Sequence, residues 1–257
     1  MSRLSAAFQK QPKCFIPFVT AGHPDLETTE EIIVELVAAG SDIVEIGIPF
    51  SDPIADGPVI QRSSFQALQH GYSMSDFIHM VGRVRAKTDA GLLFMSYINP
   101  LMRYGLERLE EEAARSGLDG LLISDLTPEE YRLMQPLEKL DTVFLAAPTS
   151  SDQRLQSIAR VSRGFLYLVA RTGVTGSHTE VGEEIASTVA RLRRYTDTPI
   201  AVGFGIDSPE AVQRVWEQAE GAVVGSAIVQ FIEEHKGEAE LPKQVGRYVR
   251  QLIPDVR

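Results

Sequence analysis

Disulfides are excluded first: the chain has one cysteine, Cys14, and a lone cysteine fits a reducing compartment. No apolar run is long enough to span a bilayer. The N-terminal stretch MSRLSAAFQKQPK lacks the apolar core of a signal peptide and reads as a short amphipathic helix. The expectation is a soluble, cytoplasmic protein with no membrane contact. Positive charge is also in short supply. Lys and Arg number 25 against 35 Asp and Glu, for a net charge of −10, and no basic block or arm appears. Nucleic acid is therefore not an expected partner. An anionic ligand would have to be held locally, by backbone N–H groups and helix ends.

Several chemistries lack their residues. Lys10, Lys13, Lys87, Lys139, Lys236 and Lys243 all fall outside strand-like runs and their carboxyl ends. A Schiff-base mechanism needs a desolvated lysine at such a place. The histidines show no paired metal-ligand spacing, so no metal site is expected. His23 and His178 fall in loops on the active face and read as solvated loop residues, with a binding role as the alternative. Cys14 opens a strand-like run and reads as buried and inert. There is no G-x-S-x-G elbow. No Gly/Ser-rich linker divides the 257 residues, whose 44% hydrophobic content suffices for one large core. Residues 1–257 are expected to form a single domain.

What the chain does have is alternation. Eight strand-like runs occur, at 14–21, 42–48, 92–98, 120–124, 142–147, 165–170, 199–203 and 222–224. Helical patterns separate them. Thr127-Pro128-Glu129-Glu130 carries a cap, a first-turn proline and a capping-box glutamate, and Ser208-Pro209 repeats the first two. Eight such units predict a parallel α/β fold closed into a (β/α)₈ barrel, a TIM barrel. An extra helix is expected at the N-terminus, and further ones in units two and eight. Unit two has room for helices over 61–70 and 74–86. The loops after strands two and six are long, and loops after strands form the active face of such barrels. The sixth begins ARTGVTGSHTEVGEE and reads as a mobile lid.

The stretch SDIVEIGIPFSDPIADGPVIQ, residues 41–61, is the most informative. Val44, Ile46 and Ile48 share one face of a strand, and Glu45 sits on the other. A charge in an apolar run is costly unless something needs it. Three prolines then make a stiff loop carrying Asp52 and Asp56. Glu45 and Asp56 are a candidate acid/base pair. Asp125 is a third acidic candidate, with helix capping or a loop hydrogen bond as its alternative role. Strand seven ends in Gly203-Phe204-Gly205 and strand eight in Gly225-Ser226 before a helical run. That combination predicts a phosphate site. Phe18, Tyr97, Tyr167 and Phe204 could line a pocket for a flat apolar group, although Phe18 and Tyr167 read equally well as core residues.

With these residues in view, the chain resembles the tryptophan synthase alpha chain family. The stretches FIPFVTAGHP, VEIGIPFSDPIADGPVIQ, YLVARTGVTG, VGFGIDSPEAV and GSAIV carry the resemblance, in the family's order and over nearly the whole chain. The resemblance implies a lyase of tryptophan biosynthesis. It cleaves indole-3-glycerol phosphate to indole and glyceraldehyde 3-phosphate by metal-free acid/base catalysis, with no cofactor of its own. Indole would pass to a beta chain carrying pyridoxal phosphate, in an α₂β₂ heterotetramer. By motif, Glu45 would move protons and Asp56 would receive the indole N–H. Phe18, Tyr97 and Phe204 would line the indole pocket, with Tyr167 near Glu45. Gly176, Phe204, Gly205, Gly225 and Ser226 would hold the phosphate, and Thr175 would belong to the closing loop. The beta-chain interface is expected on the active face, through the loop of residues 49–58 and around Asn99-Pro100. Ser124, Thr127 and the stretch 177–184 are atypical of the family. A stand-alone indoleglycerol phosphate lyase, another phosphate-binding barrel enzyme, or an inactive barrel that activates a partner are the competing readings.

Overall fold

The computed structural model describes residues 2–134, 137–170, 178–203 and 205–255. Among them lie nine strands: β1 (Cys14–Thr20), β2 (Ile43–Gly47), β3 (Gly91–Ser96), β4 (Gly120–Ile123), β5 (Asp141–Val143), β6 (Leu145–Ala146), β7 (Leu166–Val169), β8 (Ile200–Gly203) and β9 (Gly221–Val224). All pairs are parallel, in the order β5-β4-β3-β2-β1-β9-β8-β7-β6. The two ends of that row, β5 and β6, are consecutive in the chain and flank Phe144 alone. They are the fifth strand of the sequence reading, broken where it turns from β4 to β7, and the barrel closes through it. Tyr167 N–H still bonds the Phe144 carbonyl at 3.1 Å.

Period-two alternation sorts the strand residues. Ile16, Ile43, Leu93, Leu122, Val143 and Ala201 point into the barrel and pack with one another. Their neighbours Phe15, Val44, Ile46, Phe94, Leu121, Leu166 and Val202 point outward and join the helices in the larger core. The expected N-terminal helix, Arg3–Lys10, plugs the amino end of the barrel. Its Leu4 is buried where Gly91, Gly120 and Gly164 converge; a β-carbon on any of them would stand within about 3.1 Å of that side chain. Phe8 lies 5.7 Å from the Phe165 ring.

Twelve helices are present among the described residues, none long and apolar enough to cross a membrane. Unit two holds Pro58–Leu68 and Met74–Arg85. The first begins three residues before the sequence reading placed it, because proline suits a first turn. Unit eight holds Ser226–Glu234 and Leu241–Leu252. Unit three departs from expectation with two helices, Ile98–Tyr104 and Leu106–Ser116, separated by Gly105 at φ +96°. Pro100 falls in the first turn of the first of these, where no intrahelical N–H bond is lost. The loop after β7 is shorter than expected, since a helix starts at His178.

Leu4→Ala should lower the stability of the chain by roughly 2–5 kcal/mol, the range for emptying a closed apolar site. Denaturant unfolding measures this, and an unchanged midpoint would mean that the plug helix contributes little.

Candidate active site

Glu45 follows Ile43 by two on β2, so it inherits that residue's inward direction. Its register partners are Phe18 on β1 and Leu93 on β3. The side chain is 1% exposed, and its Oε1 has no hydrogen-bond partner among the described residues. Burial, with the nearby Asp56 charge adding to it, pushes its carboxyl up to about 8. Two residues on, Gly47 leaves the space that the Phe18 ring occupies; a β-carbon there would clash with the ring edge.

Asp56 is set by its loop. Its N–H bonds the Pro53 carbonyl at 3.0 Å, and Gln61 Nε2 donates to its own carbonyl at 2.9 Å. Tyr97, the residue before helix Ile98–Tyr104, reaches across from β3. Its hydroxyl accepts from Ala55 N–H at 2.9 Å and donates to the Asp56 carboxylate. Phe50 packs on the Tyr97 ring at 5.2 Å. Burial raises the Asp56 carboxyl to about 6, with the Tyr97 hydrogen bond opposing the rise. Asp52 is exposed and takes the Ser51 hydroxyl at 2.5 Å. Asp125 accepts from Ile98 N–H at 2.8 Å, so it serves the start of that helix.

Between the two carboxyls and the strand ends lies a cavity of ≈ 380 Å³, within the usual range for a small-molecule site. Its walls bring together Phe18, Glu45, Asp56, Tyr167, Gly205, Gly225 and Ser226. The Tyr167 phenol lies over Gly203, whose missing side chain makes the room for it. Burial, then the charges of Glu45 and Asp56, hold that phenol well above the ordinary tyrosine range. Gly205 has φ +70°, and Ser226 opens a nine-residue helix with no side-chain cap. Its first N–H groups are thus available to an anion. Thr175, Gly176 and Phe204 lie outside the described residues. Met95, Leu145, Val169 and Val223 also line the cavity and were not foreseen. Counting in twos from the strand ends would have found some of them: Met95 follows Leu93 and Val169 follows Tyr167. His23 corrects its expectation as a solvated residue. It is 2% exposed and meets Glu233 at 2.8 Å.

A family model, Tryptophan synthase alpha chain, matches residues 4–252. The chain belongs to that family. A tryptophan synthase alpha chain of Citrifermentans bemidjiense is 44% identical over 98% of this chain and 97% of its own length. A solved tryptophan synthase subunit alpha from Legionella pneumophila superposes with a TM-score of 0.88 at 32% identity, covering 98% of this chain and 97% of that one. The chain is also similar to one in a tryptophan synthase complex from Pyrococcus furiosus, with a TM-score of 0.83, 33% identity and coverage of 93% and 97%. As an alpha chain it is a lyase of tryptophan biosynthesis. Of its atypical positions, Thr127 has a local reason: it caps helix Pro128–Leu133 in a reciprocal box with Glu130. Ser124 Oγ is buried without a partner among the described residues, and nothing in the structure explains it. Among the described residues, no three His, Cys, Asp or Glu side chains gather closely enough to hold a metal ion.

The raised carboxyls make stability depend on pH. An unfolded Glu ionises near 4.5 and an unfolded Asp near 3.8, whereas the folded groups hold their protons to about 8 and about 6. The folded state therefore binds more protons over those windows. The stability this confers is full at acid pH and is lost as pH rises through 6 and then 8. Glu45→Gln removes the larger part. Its stability relative to wild type should rise by roughly 3–5 kcal/mol between pH 5 and pH 9. Denaturant unfolding at the two pH values checks this; a constant difference would show that Glu45 ionises as it does in water.

Proposed function

We propose that this alpha chain cleaves indole-3-glycerol phosphate with Glu45 and Asp56 as its working groups and without a metal. The observation that carries the reading is the separation of two neighbouring carboxyls, one at about 8 and one at about 6, in a single cavity. Near neutral pH the first is mostly protonated and the second mostly ionised, as an acid and an electrostatic partner must be. Glu45 gives its proton to indole C3, which leaves an indoleninium cation. Asp56 accepts the ring N–H and stabilises that charge where it develops. The new Glu45 carboxylate then takes the proton of the glycerol hydroxyl beside the bond. The electrons of the broken O–H bond form the aldehyde C=O, the C–C electrons return to the ring, and Glu45 is protonated again. Tyr97 holds the Asp56 carboxylate, while Phe18 and the apolar strand ends receive the ring. The backbone at Gly205, Gly225 and Ser226 receives the phosphate.

Released indole passes to a beta chain that carries pyridoxal phosphate, in an α₂β₂ assembly in the cytoplasm, and the alpha chain is one barrel domain. Three large apolar side chains support a partner surface. Ile54 on the Asp56 loop is 85% exposed, Met102 61% and Leu133 89%, all on segments that follow strand carboxyl ends. Isolated exposed apolar residues are ordinary, but three on the segments that follow the adjacent strands β2, β3 and β4 favour a protein contact on that side of the barrel.

Indole release from indole-3-glycerol phosphate, measured with and without a beta chain, tests the proposal. Wild type should be slow alone and faster with the partner. Glu45→Gln and Asp56→Asn should each lose about two or more orders of magnitude, the scale of acid/base and electrostatic contributions. Full activity in Glu45→Gln would sink the mechanism.

A further inference from the structure

Two helices bring their N-termini to the cavity. Pro58–Leu68 follows Asp56 directly and puts Val59 and Ile60 in the wall; Ser226–Glu234 opens the phosphate site and puts Ala227 there. They lie side by side and run the same way, because their far ends also meet. The joint is Glu233. Its Oε1 accepts from Gln66 Nε2 at 3.1 Å and from Lys236 Nζ at 2.6 Å, and its Oε2 meets His23 Nε2 at 2.8 Å. His23 is buried on the loop after β1. Below it, Thr20 Oγ1 and Ser63 Oγ are 2.7 Å apart, also buried. Burial would raise the Glu233 carboxyl, but Lys236, His23 and Gln66 reverse this and hold it at about 2. It is therefore ionised at any working pH. The Lys236 ion pair is partly exposed, so it adds little to the stability of the fold. The His23 end is shielded from water, where a hydrogen bond is stronger.

We propose that Glu233 is a positioning residue that fixes helix Pro58–Leu68 against helix Ser226–Glu234, and so couples the anion site to Asp56. The inference rests on the substrate reading above. Glu233 is not in the cavity wall and acts through the two helices. The substrate spans both: its ring N–H belongs at Asp56 and its phosphate at Ser226. A misplacement of ~1 Å between such points can cost about 10²-fold in rate. Tying the helices at their far ends limits their sliding. An occupant of one site then leaves the other better ordered for the second occupant.

The test separates the two ends of the substrate. Indole reports on the Asp56 end and inorganic phosphate on the anion end. Affinities of each, alone and with the other saturating, are measured on the full chain by calorimetry for wild type, Glu233→Ala and Gln66→Leu. Linkage requires the same factor in both directions. In wild type each ligand should tighten the other by about fivefold, the lower range of such couplings. In both variants that factor should fall towards one, with each ligand alone held within about twofold of wild type. Gln66 is partly exposed, so its variant carries the test even if Glu233→Ala folds poorly. An unchanged factor, or variants that only weaken each ligand alone, would overturn the proposal and leave Glu233 a structural residue. Indole binding to wild type with a factor of one would overturn the coupling only. A wild type that binds no indole would overturn the substrate reading as well.

Discussion

Everything at the active end of this barrel answers to one constraint: a carboxyl group is placed inside an apolar parallel strand. Glu45 occupies the layer just above Ile43 and beside Leu93, where no cation among the described residues pairs with it. An ionised group there would bear a desolvation penalty that the nearest charge, Asp56, only worsens. Neutralisation is the way out, and it turns the structural problem into an acid of useful strength. The site thus needs no separate device to create a proton donor at neutral pH. Burial supplies it, provided that the fold is stable enough to bear the cost when the group does ionise.

The space above Glu45 is made by pairing absent side chains with large ones. Phe18 lies across Gly47, and Tyr167 lies across Gly203, on opposite sides of the cavity. In both cases the aromatic belongs to one strand and the glycine to its neighbour in the barrel, β1 with β2 and β7 with β8. The rings lie down over the strand ends, leaving a hollow where upright rings would fill it. The amino end of the barrel uses the same exchange to opposite effect: three glycines admit Leu4, and the interior is sealed. One means of packing closes the floor and opens the roof.

Much of this was legible in the chain. The strand around Glu45 announced itself because its pattern is strict and one residue violates it. The prolines after it ruled out regular structure, so Asp56 had to lie on a loop at the carboxyl end. The capped starts at Thr127 and Ser208 were legible because a cap is a local hydrogen bond, and both form as read. What escaped was set by distant partners. His23 looks like a loop histidine until Glu233, 210 positions later, arrives beside it. The break at Phe144 reflects a strand that must pair with β4 on one side and β7 on the other. Met95 and Leu145 were ordinary strand residues until the barrel closed around them.

The neutral state of Glu45 also bears on how so acidic a chain can bind a phosphate. A net charge of −10 repels an anion at long range, but salt screens that field over about 8–10 Å. What decides affinity is the charge within the cavity, where screening is weak. Were Glu45 and Asp56 both ionised, the phosphate end would face two carboxylate charges in addition to the Asp207 side chain that shares the wall of this ≈ 380 Å³ site. With Glu45 protonated one of those two charges is gone, and in the proposed mechanism Asp56 serves the ring end, away from Ser226. The uncapped helix start then acts on the phosphate with its dipole and free N–H groups. In the proposed mechanism, burial of one glutamate therefore serves both ends of the substrate: it furnishes the proton for bond cleavage and removes a charge that would oppose binding.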